Sequence, residues 1–94
     1  MLRVVARTLV KEGCIEAYQT LAKELVAASQ RENGNVSYTM NQSVEDKRLH
    51  AMIEVWKSKD ALDAHMKTEH FGRICPQLAP FAEESYPLEL FEEV

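Results

Sequence analysis

The chain has 94 residues, of which 46% are apolar and 28% charged, so it is one domain (residues 1–94) with a core rather than a disordered segment. Its 11 Lys and Arg are scattered and outnumbered by 15 Asp and Glu, a formal charge of −4, which excludes a nucleic-acid surface from expectation. A chain this short hides only roughly two-thirds of its unfolded surface, so its apolar content raises the question of where the excess goes.

Leu2–Val10 (LRVVARTLV) is rich in Val and Leu and predicts a strand. Leu2, Val4, Ala6 and Val10 share one parity; Val5 and Leu9 share the other with Arg3 and Arg7. The two arginines interrupt this apolar start, so neither a signal peptide nor a membrane span is expected, and the default location is the cytosol. Gly13 breaks the pattern. Cys14 to Asn33 predicts a long amphipathic helix with Cys14, Tyr18, Leu21, Leu25 and Ala28 on one stripe, ended by Asn33-Gly34 with Gly34 in the left-handed cap position. Cys14 and Cys75 form no C-x-x-C and read as two free thiols in a reducing compartment.

Asn35 to Val44 alternates, with Val36, Tyr38 and Met40 on one face, and predicts a half-polar strand. Arg48 to Lys57 (RLHAMIEVWK) predicts another. Its parities differ: Leu49, Ala51, Ile53 and Val55 are all apolar, whereas His50, Met52, Glu54 and Trp56 mix apolar and ionisable groups. Ser58 caps a helix from Lys59 to about Lys67. Thr68-Glu69 starts a second helical piece running toward Leu78, with a kink or break expected at Pro76, and Glu83-Glu84-Ser85 beyond its end. Tyr86 to Glu92 predicts a last strand in which Pro87 favours an edge. The order β-α-β-β-α-β fits an α+β, ferredoxin-like fold with a four-stranded antiparallel sheet.

Two helices cover only one face of such a sheet. The strand Arg48–Lys57 is substantially apolar on both faces, where an antiparallel sheet with one wet face alternates cleanly. A homodimer packing sheet on sheet accounts for the second face; a monomer with a few exposed apolar residues is the competing reading.

Three constellations bear on chemistry. Glu54-x-Trp56 points two side chains to one face of a strand, with Met52 and His50 beside them. A carboxylate and an indole in a partly apolar wall suit a flat organic molecule; equally, Trp56 is a core residue and Glu54 pairs with a base. His65 lies on the stripe with Leu62 and Met66, either as a satisfied core residue or as a cavity-lining base of the right acidity for proton transfer at neutral pH. His65 and His70, five apart, would stand about 140° apart on one continuous helix. They are not the i, i+4 pair of a helical zinc site, and no metal is expected. Tyr38 is either a donor to a ligand carbonyl or an amphipathic core residue. With no G-x-G-x-x-G, P-loop or G-x-S-x-G and only three glycines, no large cofactor is expected.

The run from Glu54 to Phe71 reads E-x-W-x-S-x-x-A-L-x-x-H-x-x-T-x-H-F. It resembles the signature of the antibiotic biosynthesis monooxygenase domain family, especially its small quinol-monooxygenase-like members. Gly34-Asn35-Val36-Ser37-Tyr38 and the opening strand followed by Lys11-Glu12-Gly13 are similar to the family too. The resemblance implies a dimeric α+β barrel with a cavity between sheet and helices in each protomer. The mixed row of the third strand would then meet the cavity, and the row Leu49, Ala51, Ile53, Val55 would form the homodimer core. It implies a cofactor-independent oxidation of a quinol or aromatic phenol by oxygen, with His65 or His70 as base, Tyr38 and Glu54 positioning polar groups, and Trp56, Met52 and Phe71 as the apolar wall. Haem-degrading relatives use Asn, Trp and His where this chain has Ala6, His65 and Cys75, which argues against that activity. Other relatives isomerise small phosphorylated sugars, so an isomerase remains a second reading, and a ligand-binding or stress-related dimer without chemistry a third.

Overall fold

The computed structural model describes residues 1–94. Strand β1 (Leu2–Val10) leads through Gly13, the one residue with positive φ (82°), into helix α1 (Ile15–Gln30). Strands β2 (Asn35–Gln42) and β3 (Leu49–Trp56) follow, then helices α2 (Lys59–His65) and α3 (Glu69–Leu78). A 3₁₀ turn over Ala79–Phe81 leads to strands β4 (Ala82–Ser85) and β5 (Glu89–Glu92). No helix is long and apolar enough to cross a membrane.

The antiparallel sheet has the order β2-β3-β1, and β4 and β5 share the remaining edge of β1. This is the expected α+β ferredoxin-like arrangement with one correction: there are five strands, not four. The polar stretch 83–85, expected to lie beyond the helix end, belongs instead to β4, whose Ala82, Glu84 and Ser85 pair with β1. The last strand expected over Tyr86–Glu92 begins only at Glu89, because Pro87 has no N–H for the ladder, and Tyr86 makes its bond to the Arg7 carbonyl in the break between β4 and β5.

The β1–β3 register runs unbroken from Leu2 opposite Trp56 to Leu9 opposite Leu49. It therefore sorts side chains by parity. Leu2, Val4, Ala6 and Thr8 lie with Trp56, Glu54, Met52 and His50 on the face that the helices cover. Val5 and Leu9 lie with Leu49, Ala51, Ile53 and Val55 on the open face. The mixed row of β3 is the buried one, and the wholly apolar row is not covered within the chain.

Local chemistry explains where elements differ from the sequence expectation. Strand β2 stops short of Val44 because Ser43 Oγ accepts from the backbone N–H groups of Glu45 and Asp46 and turns the chain. An irregularity between Asn35 and Ser37 leaves Val36 unpaired and exposed, off the face it was expected to share with Tyr38 and Met40. Helix α1 ends at Gln30, and Gly34 does not take a left-handed conformation. Glycine is needed there for space: a Cβ on Gly34 would stand 2.5 Å from Ala61 Cβ. Pro76 lies inside α3 rather than ending it.

Candidate active site

A cavity of about 270 Å³ lies between the covered sheet face and the three helices. Its floor comes from Ala6, Thr8, Met52 and Glu54, its roof from α1, α2 and α3, and one rim from Ser85 and Leu88 at the β4–β5 break. The wall is mostly apolar and holds no Lys or Arg.

Of the residues singled out in the sequence, Tyr38, Met52, Glu54, His65 and Phe71 line this cavity. Trp56 and His70 do not. Trp56 is fully buried behind the wall, where its ring lies 4.6 Å from that of His65 and its Nε1–H donates to Glu54 Oε1 at 2.9 Å. It thereby fixes two wall residues without meeting the space itself. His70 lies outside the wall and donates from Nε2 to Glu32 Oε2 at 2.7 Å.

Glu32 is the residue that sequence reasoning missed. Its Oε2 also accepts from His65 Nδ1, again at 2.7 Å. The backbone holds Glu32 on both sides, its N–H bonded to Ser29 O and its carbonyl to the Asn35 N–H. The histidines converge on it because α2 and α3 are not one continuous helix. Thr68 supplies the joint: its hydroxyl donates to His65 O at 2.7 Å and accepts from the Phe71 N–H at 3.2 Å, capping α3 while tying it to the end of α2.

A carboxylate only accepts hydrogen bonds, so His65 Nδ1 carries a proton, and in the neutral ring the lone pair is then on Nε2. Nε2 forms no hydrogen bond, and the ring is wedged between Trp56 and Phe71, with centroids 4.6 and 5.1 Å away. His50, equally buried, differs: Nδ1 donates to Arg48 O and Nε2 accepts from Gln19 Nε2. It is a saturated core residue.

Burial pushes the Glu54 carboxyl up from 4.5 to about 7; the Trp56 N–H partly opposes this, and the Glu32 charge adds to it. Near neutral pH Glu54 is therefore both donor and acceptor. Burial, followed by the Glu54 charge, raises the Tyr38 phenol well above its ordinary range, so it stays a hydrogen-bond donor. The Cys75 thiol, also on the wall, is raised by burial and is protonated.

The architecture defines a class: a small ferredoxin-like α+β domain enclosing a ligand-sized apolar cavity beneath its sheet. Comparison with known proteins narrows it. The profile of the antibiotic biosynthesis monooxygenase family matches residues 1–77, and the chain belongs to that family. It is 32% identical over 71 residues to the Bacillus subtilis (strain 168) protein named "Putative monooxygenase YcnE", covering 76% of this chain and 75% of that one. Among solved structures, an antibiotic biosynthesis monooxygenase superposes with a TM-score of 0.94 at 30% identity, covering 100% of this chain and 99% of the other. A conserved protein from Methanosarcina mazei Go1 also superposes at 0.94, with 28% identity over 99% of this chain and 92% of the other. A monooxygenase-like role at this general level follows from the family.

Proposed function

We propose that the chain is a cofactor-independent monooxygenase that oxidises a quinol or aromatic phenol with molecular oxygen. One observation carries this reading: the Glu32–His65 hydrogen bond of 2.7 Å, with His65 on the wall of an apolar cavity. That bond leaves Nε2 as a proton acceptor facing a bound molecule. A hydroquinone held there gives a phenolic proton to Nε2, and Glu32 stabilises the imidazolium that forms. The resulting anion is electron-rich and, in a dry pocket, reacts with oxygen directly. In balance, hydroquinone and O₂ give a hydroxylated quinone and water.

Tyr38 and Glu54 address the second ring oxygen, one as donor and the other as either partner. Met52 and Phe71 hold the ring. Trp56 and His70 are positioning residues, acting through Glu54 and His65 and through Glu32. The cavity volume of about 270 Å³ lies near the lower end of the roughly 300–1,000 Å³ range for ligand pockets. It suits a one- or two-ring substrate and leaves no space for a flavin beside it. The absence of Lys and Arg from the wall counts against isomerisation of a phosphorylated sugar, and a cavity unfilled by the chain's own side chains counts against a domain without a ligand.

The same proposal assigns the open sheet face to a homodimer. Ile53 is 45% and Phe91 53% exposed there, beside Leu49, Ala51 and Val55. Two unpaired cysteines fit a cytosolic location.

The test is oxygen uptake with menadiol and simpler hydroquinones, corrected for autoxidation. Enzyme-dependent uptake of one O₂ per quinol is expected, and it stops under argon. Turnover that runs equally fast without oxygen refutes the reading.

A further inference from the structure

We infer that Glu32, His65 and His70 form a binding site for a first-row divalent cation of the zinc type, and that a cation bound there switches His65 off as a base. The second half rests on the proposed function; the first does not.

The two imidazole nitrogens and the carboxylate oxygen all lie within 4.8 Å of one another. Two imidazoles and a carboxylate are the donors that zinc and its neighbours take from proteins, with the fourth position left to water. The cluster is also built rather than incidental. Glu32 is held by its backbone in the turn after α1, His65 by ring packing against Trp56 and Phe71, and His70 in the first turn of α3 by the Thr68 cap. Three separate elements thus aim three ligand atoms at one point.

In the metal-free cluster each histidine sits 2.7 Å from Glu32 Oε2. Metal–nitrogen and metal–oxygen bonds of about 2.0–2.1 Å at tetrahedral angles hold neighbouring ligand atoms about 3.3 Å apart. Binding therefore requires each hydrogen-bonded pair to part by about half an ångström and the two histidine nitrogens, which lie within 4.8 Å of each other, to take the same spacing. Glu32 and His70 have room for this, being partly exposed, while His65 is fixed. Glu32 and His70 thus keep the cluster in contact with solvent.

The switch follows from proton counting. A neutral imidazole has one N–H and one lone pair. In the metal-free chain Glu32 keeps the proton on Nδ1 and the lone pair on Nε2. A cation on Nδ1 takes the lone pair there and moves the proton to Nε2. Nε2 then has nothing with which to accept a phenolic proton, and Glu32 is withdrawn as its support. Cation binding and base catalysis are exclusive states of one ring.

Chelator-treated protein titrated with cobalt(II) tests the site. Saturation at one ion per chain is expected, with visible d–d bands, no thiolate charge-transfer band, and displacement by zinc. His70→Ala and Glu32→Gln should each weaken binding at least about tenfold, a loss that even supporting residues of metal sites produce. His70→Gln keeps the side-chain bulk and serves if the alanine variant is unstable. Long-range ¹H–¹⁵N spectra should show the His65 proton on Nδ1 without metal and on Nε2 with zinc. No saturable binding, a thiolate band, or equal binding by wild type and the His70 variants overturns the site. Zinc bound with the proton moved, yet quinol oxidation unchanged, overturns the switch. If metal-free protein shows no oxygen uptake at all while zinc binds as described, the proposed function fails and the cation site stands.

Discussion

Glu54→Gln isolates the cost of holding a carboxylate in the cavity wall. Glu54 is 4% exposed, and burial raises its carboxyl from 4.5 to about 7 in the folded chain. In the unfolded chain it releases its proton near its ordinary value. Between those two pH values the folded state binds more protons than the unfolded state, so stability falls as pH rises through this window and levels off above it. At about 1.4 kcal/mol per pH unit, the full effect is about 3 kcal/mol, of which about 2 to 3 kcal/mol falls between pH 5 and pH 8. The amide of the variant does not titrate, and its carbonyl oxygen can still accept from Trp56 Nε1. The variant should therefore be more stable than wild type at pH 8, with the advantage shrinking by that amount at pH 5. Urea unfolding at fixed protein concentration gives both numbers, since association would otherwise shift them. The other titrating groups are common to both chains and cancel in the difference. Parallel stability–pH curves would refute the claim that burial of this carboxyl, rather than its hydrogen bond, dominates its acidity.

Three further outcomes follow from the geometry. His65→Ala should lower kcat/KM for quinol oxidation at least about a hundredfold, as loss of a general base does, and Glu32→Gln should lower it by less, because the lone pair on Nε2 survives; steady-state rates decide, and an unimpaired His65 variant removes the base assignment. Ile53→Arg places charge at the centre of the open face, and light scattering should then report the 10.7 kDa monomer at concentrations where wild type is twice that mass; a wild-type monomer ends the dimer proposal. Gly34→Ala forces a methyl to within 2.5 Å of Ala61 Cβ and should destabilise the chain by about 1–3 kcal/mol, read from thermal melts. An unchanged melt would mean that the start of α2 moves freely.

The parts of the fold that were legible are those written in local patterns. The two unlike rows of β3 identified it as a strand with two different jobs, and the register of β1 against it follows those rows. Ser58 and Thr68 announced two helix starts, and both hydroxyls cap as their positions suggest. Pro87 announced an edge, although not that the strand would begin only at Glu89. Glu32 was illegible for a physical reason. It lies just past the end of α1, beyond the last apolar residue of the predicted stripe, and its partners are 33 and 38 residues away in the chain. Only the joint at Thr68 brings them to it. Trp56 was legible as a site residue but not as a support, since strand parity gives a face and not a depth.

His50 and His65 show what separates a structural residue from a functional one here. They are the same residue type, 1% and 2% exposed, on the same side of the sheet. Each has a polar partner on one ring nitrogen. His50 has a second in Gln19, so its hydrogen-bonding capacity is filled within the core and its protonation would cost that bond. His65 has none on Nε2, and its residue lines the cavity. The hydrogen bond left unmade at Nε2 is one cost, and the proton cost of Glu54 is another on the same wall. Both costs fall on the face where the helices leave room for a molecule. The open face carries a cost of the opposite kind, apolar area left uncovered within the chain. A bound phenol and a second copy of the sheet would relieve these two costs independently, so substrate should stabilise the chain even where Ile53→Arg has abolished the dimer.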